Sequence, residues 1–410
     1  MRVLLVTKNF PPRSCGVGDY VCCLASELAA AGESVTVLTE PAEAPRHVAL
    51  GLREVPLRGW RDLSRILDAI AASAPDCVQL EYSGYAWGRW GVAWWVNALL
   101  FQLRRRGIPV RVGLHELAVS MRLHPFQAPV ALAQWAHNAL LIAAAETVAV
   151  NMRSRVALLE RLFPWWREKI QYRSNSSTIP VVSTSPAERA AFRRARGAAS
   201  DAIVVASFGL FHRAKNYEGL IQAVAHLYRF RPMQLWMLGN SAAASPEYTA
   251  RLMQAARDAG IESALWWPGR LEAGDISRAL QSADVFVLPQ PDGHLTRSSA
   301  FMAAAAHGLP VVAVRQSGGL DQREFRHGET VWLAEFSTAA HLAAGIRALI
   351  DDPAAAKQMG TNLRSLYEKL FAWSVTATVP GSVKQGAVPV EEPGRQESVA
   401  TAASAGGAKP

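Results

Sequence analysis

The stretch 285–314, VFVLPQPDGHLTRSSAFMAAAAHGLPVVAV, leaves this chain little choice of fold. Residues 285–288 are a short apolar strand-forming run, 300–306 are strong helix formers, Gly308 and Pro310 end that helix, and 311–314 re-enter a sheet. In such a strand–helix–strand unit the turn after the first strand lies at the carboxyl edge of a parallel sheet. Free helix amides and the helix dipole favour an anion there. The turn holds Asp292, Gly293, Thr296, Arg297, Ser298 and Ser299. One cation, three hydroxyls and a glycine at a helix start suit a phosphate. A plain Thr or Ser cap with Arg297 in solvent accounts for the same letters.

The pattern occurs elsewhere in the chain. Residues 2–7 (RVLLVT) read as a buried strand, 20–31 as a helix with Val21, Leu24 and Leu28 at helical spacing, and 35–38 as the next strand. The loop NFPPRSCGVGDY places Gly16 and Gly18 just ahead of that helix, where a ligand can approach backbone amides, although a turn alone also asks for glycine. From Asp201 the chain begins again as strand, glycine, helix and strand. Gly209 follows the strand, and His212, Arg213 and Lys215 precede a helix opened at Asn216. Residues 186–200 are rich in Ala and Arg with little apolar periodicity. The expected organisation is α/β, with two doubly wound Rossmann-like domains at 1–183 and 201–376 and a linker at 184–200. Beyond 376 the Ala, Gly, Pro, Ser and Val composition cannot bury enough surface to order itself, so 377–410 is expected to be a disordered tail.

In the first half, CVQLE at 77–81 reads as a strand and is followed by YSGYAWGRWGVAWW. Tyr85, Trp87 and Trp90, set among glycines, read as exposed aromatics suited to a sugar or a lipid. Trp94, Trp95 and Val96 read as the start of a core-facing helix. The strand at 110–114 ends at His115 and Glu116, a pair placed to orient a substrate or exchange its protons; a histidine there also serves as plain packing.

The net charge of +9 and pI of about 9.6 admit nucleic acid, an anionic membrane surface or phosphorylated ligands, and charge alone does not choose. Through Ser183 there are 20 Lys or Arg against 14 Asp or Glu. With Arg104–Arg106 beside a Trp-rich helix, this excess suits docking on anionic lipid, and an ordinary solvated face explains it nearly as well. No run of about 20 apolar residues is present and the N-terminus enters a strand after one arginine, so neither a span nor a signal peptide is expected, and the cytoplasm is the default location. The four cysteines lack zinc-like spacing and read as reduced, mostly buried thiols. No Asp, Glu, His or Cys cluster has metal-ligand spacing, so no tightly bound metal is expected.

Taken together, FPPRSCGVGDYVCCLASELAAAGESVTVLT, FGLFHRAKNYEGLIQAV, PDGHLTRSSAFMAAAAHGLPVVAV and FAWSVTA resemble, in that order, segments of the GT-B fold glycosyltransferases, and within them retaining family 4. The likeness covers about residues 1–376. It implies two Rossmann-like domains facing each other across a cleft, with a segment near 371–376 crossing back to the first. It places Lys215 on the diphosphate of a nucleotide-sugar donor, with Thr296, Arg297 and Ser298 near it. Gly209, Arg213, Asp292 and Gly293 belong to the same donor site, and Gly16 and Gly18 face it from the other domain. His115 matches an active-site histidine, Asp19 an acceptor-facing carboxylate, and Tyr85, Trp87 and Glu116 the acceptor side.

Two departures stand out. Family members usually carry two glutamates eight positions apart before the HG-x-P turn; here those positions are Leu295 and Ala303. The sequence is closer to a branch with a T-R motif instead. The glycine-arginine pair usual at the diphosphate loop is Gly209–Leu210, for which Arg213 or Arg297 is the expected substitute.

The resemblance implies transfer with retention, from a nucleotide sugar and without a metal or other cofactor, to a saccharide or lipid-linked acceptor. Lys215 and Arg297 would meet the leaving diphosphate's charge. Nucleic acid is not an expected partner. A degenerate GT-B scaffold, which the missing glutamates permit, is the alternative.

Overall fold

The structure, a computed structural model, describes residues 1–13, 15–42, 51–118, 127–239 and 245–377. The tail expectation for 378–410 lies outside the described residues. Among the described residues, thirteen strands form two parallel sheets. The first is built from β1 (Arg2–Thr7), β2 (Ser34–Thr39), β3 (Gly51–Glu54), β4 (Cys77–Tyr82), β5 (Val110–Leu114), β6 (Thr147–Val150) and β7 (Ile170–Tyr172). Their spatial order is β3-β2-β1-β4-β5-β6-β7. The second contains β8 (Ile203–Phe208), β9 (Met233–Leu238), β10 (Leu265–Trp266), β11 (Val285–Leu288), β12 (Val311–Val314) and β13 (Trp332–Ala334), in the order β10-β9-β8-β11-β12-β13.

Each order reverses once, between β1 and β4 and between β8 and β11. At such a reversal the loops leaving the two central strands part and open a crevice at the carboxyl edge. The two glycine segments and the 292–298 turn leave from these strands.

Strand alternation explains the second core. Val285 and Val287 face one apolar cluster with Leu220 and Ile346, while Phe286 and Leu288 face another with Phe301 and Leu363. Helix Pro353–Leu370 closes on helix Ser299–Ala306 where Gly360 meets Gly308; a Cβ on Gly360 would stand 2.1 Å from the Gly308 carbonyl oxygen. The chain then turns at Phe371 and returns to the first half. Trp373 Nε1 donates to the Ser177 carbonyl at 2.6 Å, and its ring lies 5.1 Å from that of Tyr20.

Several details differ from expectation. The first helix starts at Gly16, so Gly16, Gly18 and Asp19 lie within its first turn rather than ahead of it. β3 was not anticipated, because GLRE is mostly solvent-facing and offers no apolar run. Within 186–200 a helix, Pro186–Arg194, forms behind a Ser185–Glu188 capping box, and its Phe192 packs on Trp236 and Trp266. Only Cys77 is buried; Cys15, Cys22 and Cys23 are half-buried, and all four are free.

Candidate functional site

The turn after β11 is held open by its own polar groups. Gly293 has φ +60°, and a Cβ there would meet the Val314 carbonyl oxygen at 2.6 Å, so only glycine fits. Asp292 accepts from the His294 amide at 3.1 Å and from Arg297 Nη2 at 2.5 Å. Ser298 caps helix Ser299–Ala306, its Oγ accepting from the Phe301 amide. The cap half of the alternative reading is therefore correct for Ser298, while Arg297 is ion-paired rather than loose in solvent. Thr296 is fully buried, and its hydroxyl donates to the Asn151 carbonyl of the other half at 3.0 Å. The Thr296 hydroxyl thus commits its proton to Asn151, whereas Ser298 Oγ, an acceptor in the cap, keeps its own proton to donate.

Lys215 comes from the short turn Arg213–Lys215 after β8. Gly209, at φ +133°, leaves the space its ammonium occupies: a Cβ there would lie 3.2 Å from Lys215 Nζ and 3.8 Å from the Ala300 side chain. The amine therefore stands at the start of helix Ser299–Ala306. It has no ion pair among the described residues. Burial and then the Arg297 charge push its pKa down, with Asp292 pulling the other way. Arg213 does not join it; its guanidinium lies 5.9 Å from the Tyr248 ring.

Glu81, the last but one residue of β4, has no exposed surface. It lies opposite Gly113 in the β4–β5 register, and a Cβ on Gly113 would fall 2.0 Å from Glu81 Oε2. The carboxylate accepts from His115 Nε2 at 2.8 Å, Arg173 Nη2 at 2.7 Å and Gln79 Nε2 at 2.5 Å. Burial alone would raise its pKa, but the Arg173 charge and the His115 and Gln79 hydrogen bonds outweigh that and hold it at about 2. The partner of His115 is thus Glu81, one strand away, and not the adjacent Glu116, whose Oε2 accepts from Ser83 Oγ at 3.0 Å. Because an ionised carboxylate only accepts, His115 carries a proton on Nε2. Tyr20 meets the imidazole edge-on at 5.4 Å.

Asp19 is exposed on its helix, and the protein beside it strips part of the water from its carboxyl. That desolvation lifts its pKa to about 6, and Arg270 of the second half pulls it back. Gly18 is structural, since a Cβ would meet the Asn9 carbonyl oxygen at 2.7 Å; Gly16 has nothing within 4 Å. Tyr85 is exposed as expected. Trp87 is not: it is 4% exposed, donates to the Glu81 carbonyl at 3.3 Å and stacks on Tyr82. Trp94, expected in the core, is 42% exposed instead.

Sequence reasoning missed Glu81, Arg173, Arg155, Asn151 and Asn175. The one available signal was that Glu81 ends an apolar strand, the position from which side chains reach a carboxyl-edge site.

Residues 188–366 match the family model described as glycosyl transferases group 1. That match lies within the second half of the chain. Among curated proteins the chain is similar to a D-inositol 3-phosphate glycosyltransferase of Pseudarthrobacter chlorophenolicus, 30% identical over 206 residues. That alignment takes in 49% of this chain and 47% of the relative, so it spans about half the length of each. In three dimensions the chain resembles sucrose-phosphate synthase from Thermosynechococcus elongatus, with a TM-score of 0.71 at 21% identity over 92% of this chain and 96% of that one. It also resembles HepE from Anabaena in complex with UDP-glucose, with a TM-score of 0.70 at 16% identity over 92% and 97%. The fold is GT-B.

In the second half the two positions that usually hold glutamates lie deep in the core: Leu295 and Ala303 have no exposed surface and belong to the Phe286 cluster. This half is fastened to the first at the turn itself. The Asn175 amide nitrogen donates to the Thr296 carbonyl at 2.9 Å and its Nδ2 to the Arg297 carbonyl at 2.6 Å. Nearby, Asp321 accepts from the Ser154 amide at 3.0 Å, and Glu324 pairs with Arg153 at 2.6 Å.

Proposed function

We propose that the chain is a glycosyltransferase of the retaining family 4 type. It would move a sugar from a nucleotide-sugar donor to a saccharide or lipid-linked acceptor in polysaccharide or glycolipid biosynthesis. The observation that carries this reading is Lys215: an ammonium without an ion-pair partner among the described residues, partly desolvated, beside Arg297 at a helix start. A cation is disfavoured there until an anion arrives. A donor diphosphate supplies that anion, and the complex of the HepE neighbour with UDP-glucose supports the choice. In this reading Lys215, Arg297 and the helix amides take up the leaving group's charge without a tightly held metal, and the departing phosphate receives the acceptor's proton. Asp19 and the Glu81-supported His115 face the acceptor, which approaches past Glu116 and Tyr85.

No helix among the described residues is long and apolar enough to cross a membrane. Peripheral docking is a narrower proposal. Arg104 and Lys169 are accounted for, since they donate to the carbonyls of Ala143 and Ala145 and cap helix Ala128–Ala144. Arg105, Arg106 and the exposed Trp165 of the adjoining turn are left for an anionic surface.

The test is thermal stability against a panel of UDP-, GDP- and ADP-sugars, where a ligand at 100 times its Kd adds about 2.7 kcal/mol. One nucleotide sugar should stabilise the protein selectively, and Lys215→Ala and Arg297→Ala should each abolish the effect. The burial of Leu295 and Ala303 favours the second reading, a GT-B scaffold without turnover; a flat response across the panel in folded protein selects it.

A further inference from the structure

Helix Arg153–Leu162 of the first half carries a cation that no motif singled out. Arg155 Nη1 donates to the His115 carbonyl at 2.7 Å and to Asn151 Oδ1 at 3.2 Å. Its Nε and Nη2 make no hydrogen bond among the described residues, and neither is sealed from solvent. Asn151 fixes where this guanidinium stands. The Asn151 carbonyl receives the Thr296 hydroxyl, and its Nδ2 donates to Asn175 Oδ1 at 3.4 Å, with Asn175 in turn holding the Arg297 carbonyl. Arg155 therefore sits one asparagine away from the turn that carries Arg297.

Its surroundings show the consequence. Burial and then the Arg297 charge push the Arg155 pKa down to about 10, while Glu116, Asp321 and Asp292 push back. Those carboxylates are already engaged: Asp292 with Arg297, Asp321 with Ser154 and Gln316, and Glu116 with Ser83. Arg155 from the first half and Lys215 from the second thus each feel the Arg297 charge, an arrangement that repels itself until an anion is present. Leu210, where a diphosphate-binding arginine would be expected, is an exposed leucine.

We propose that Arg155 is a phosphate-binding residue reaching from the first half into the Lys215–Arg297 site, with Nε and Nη2 as the donors. The proposal rests on the donor reading of that site and extends it across the crevice. The phosphate is either the donor's own or one carried by the acceptor.

Full-length wild type, Arg155→Met and Lys215→Ala are titrated calorimetrically with UDP, GDP and ADP. Inorganic phosphate is then added to protein saturated with the tightest of the three. A donor phosphate predicts that Arg155→Met weakens the diphosphate about 10-fold or more, the loss of a charge-assisted hydrogen bond. An acceptor phosphate predicts unchanged diphosphate affinity and loss of phosphate binding to the saturated protein. Wild-type affinities for both probes in folded Arg155→Met overturn the proposal and leave Arg155 as a support for the His115 backbone. If Lys215→Ala alone loses the diphosphate, the donor reading survives and this one falls. If Arg155→Met alone loses it, Arg155 stands and the assignment of Lys215 falls. Should Arg155→Met fail to fold, Arg155→Lys keeps the charge without the fork and must show a graded weakening of the same probe.

Discussion

Two carboxylates in the first half respond to pH in opposite senses. Asp19 has its folded pKa raised to about 6 from 3.8, so the folded chain binds the extra proton between those values and this residue's contribution to stability falls as pH rises through the window. Activity should do the reverse if the ionised carboxylate is what the acceptor needs: a climb through about pH 6, with that limb absent in Asp19→Asn, read from the pH profile of kcat/KM. Glu81 is held at about 2 from 4.5. Its contribution is complete above pH 4.5 and is lost as pH falls toward 2. Glu81→Gln leaves the Arg173 charge buried without its counter-charge, and should cost about 3–5 kcal/mol in urea melts at pH 7. The sequence offered His115 but not its partner, because Glu81 and Gly113 become neighbours only through strand register, which no local pattern states.

At the level of elements, legibility followed burial. Strands β11 and β12 announce themselves through unbroken apolar runs, and β8 and β9 through runs broken by one polar residue each, whereas the exposed edge strand β3 and the linker helix, with Phe192 its one large apolar residue, do not. The start of the first helix was placed late because its opening turn is GVGD, which carries no apolar periodicity. That turn separates two roles for glycine. Gly18→Ala drives a methyl into the Asn9 carbonyl and should lower stability by about 1–3 kcal/mol, while Gly16→Ala should leave stability within about 0.5 kcal/mol of wild type. Any loss of donor affinity in Gly16→Ala then reports ligand contact without a folding term. Ser298→Ala removes a cap and should cost about 1 kcal/mol by thermal melting, with no change in which nucleotide binds.

For the molecule as a whole, the order of its segments was legible and the stitching between its halves was not. Nothing local in NMRSR or SNSS says that Asn151 will hold the Thr296 hydroxyl, and Asn175 the backbone, of a turn more than a hundred residues away. Trp373→Phe keeps an aromatic ring on Tyr20 and removes the bond to Ser177, which should cost about 0.5–1.5 kcal/mol and show as a lower denaturation midpoint. If Arg105, Arg106 and Trp165 touch a membrane, vesicles containing phosphatidylglycerol should pull down the wild type at low salt, and the triple variant Arg105→Glu, Arg106→Glu, Trp165→Ala should stay in the supernatant.

The asparagine stitches also bear on how such a chain can be recombined. A chimera that keeps this first half and takes its second from a relative inherits a foreign turn facing Asn151 and Asn175. Its backbone must offer carbonyls where those of Thr296 and Arg297 stand, and a hydroxyl where Thr296 donates to Asn151. Swapping specificity by swapping halves therefore requires moving the two asparagines together with the turn they hold.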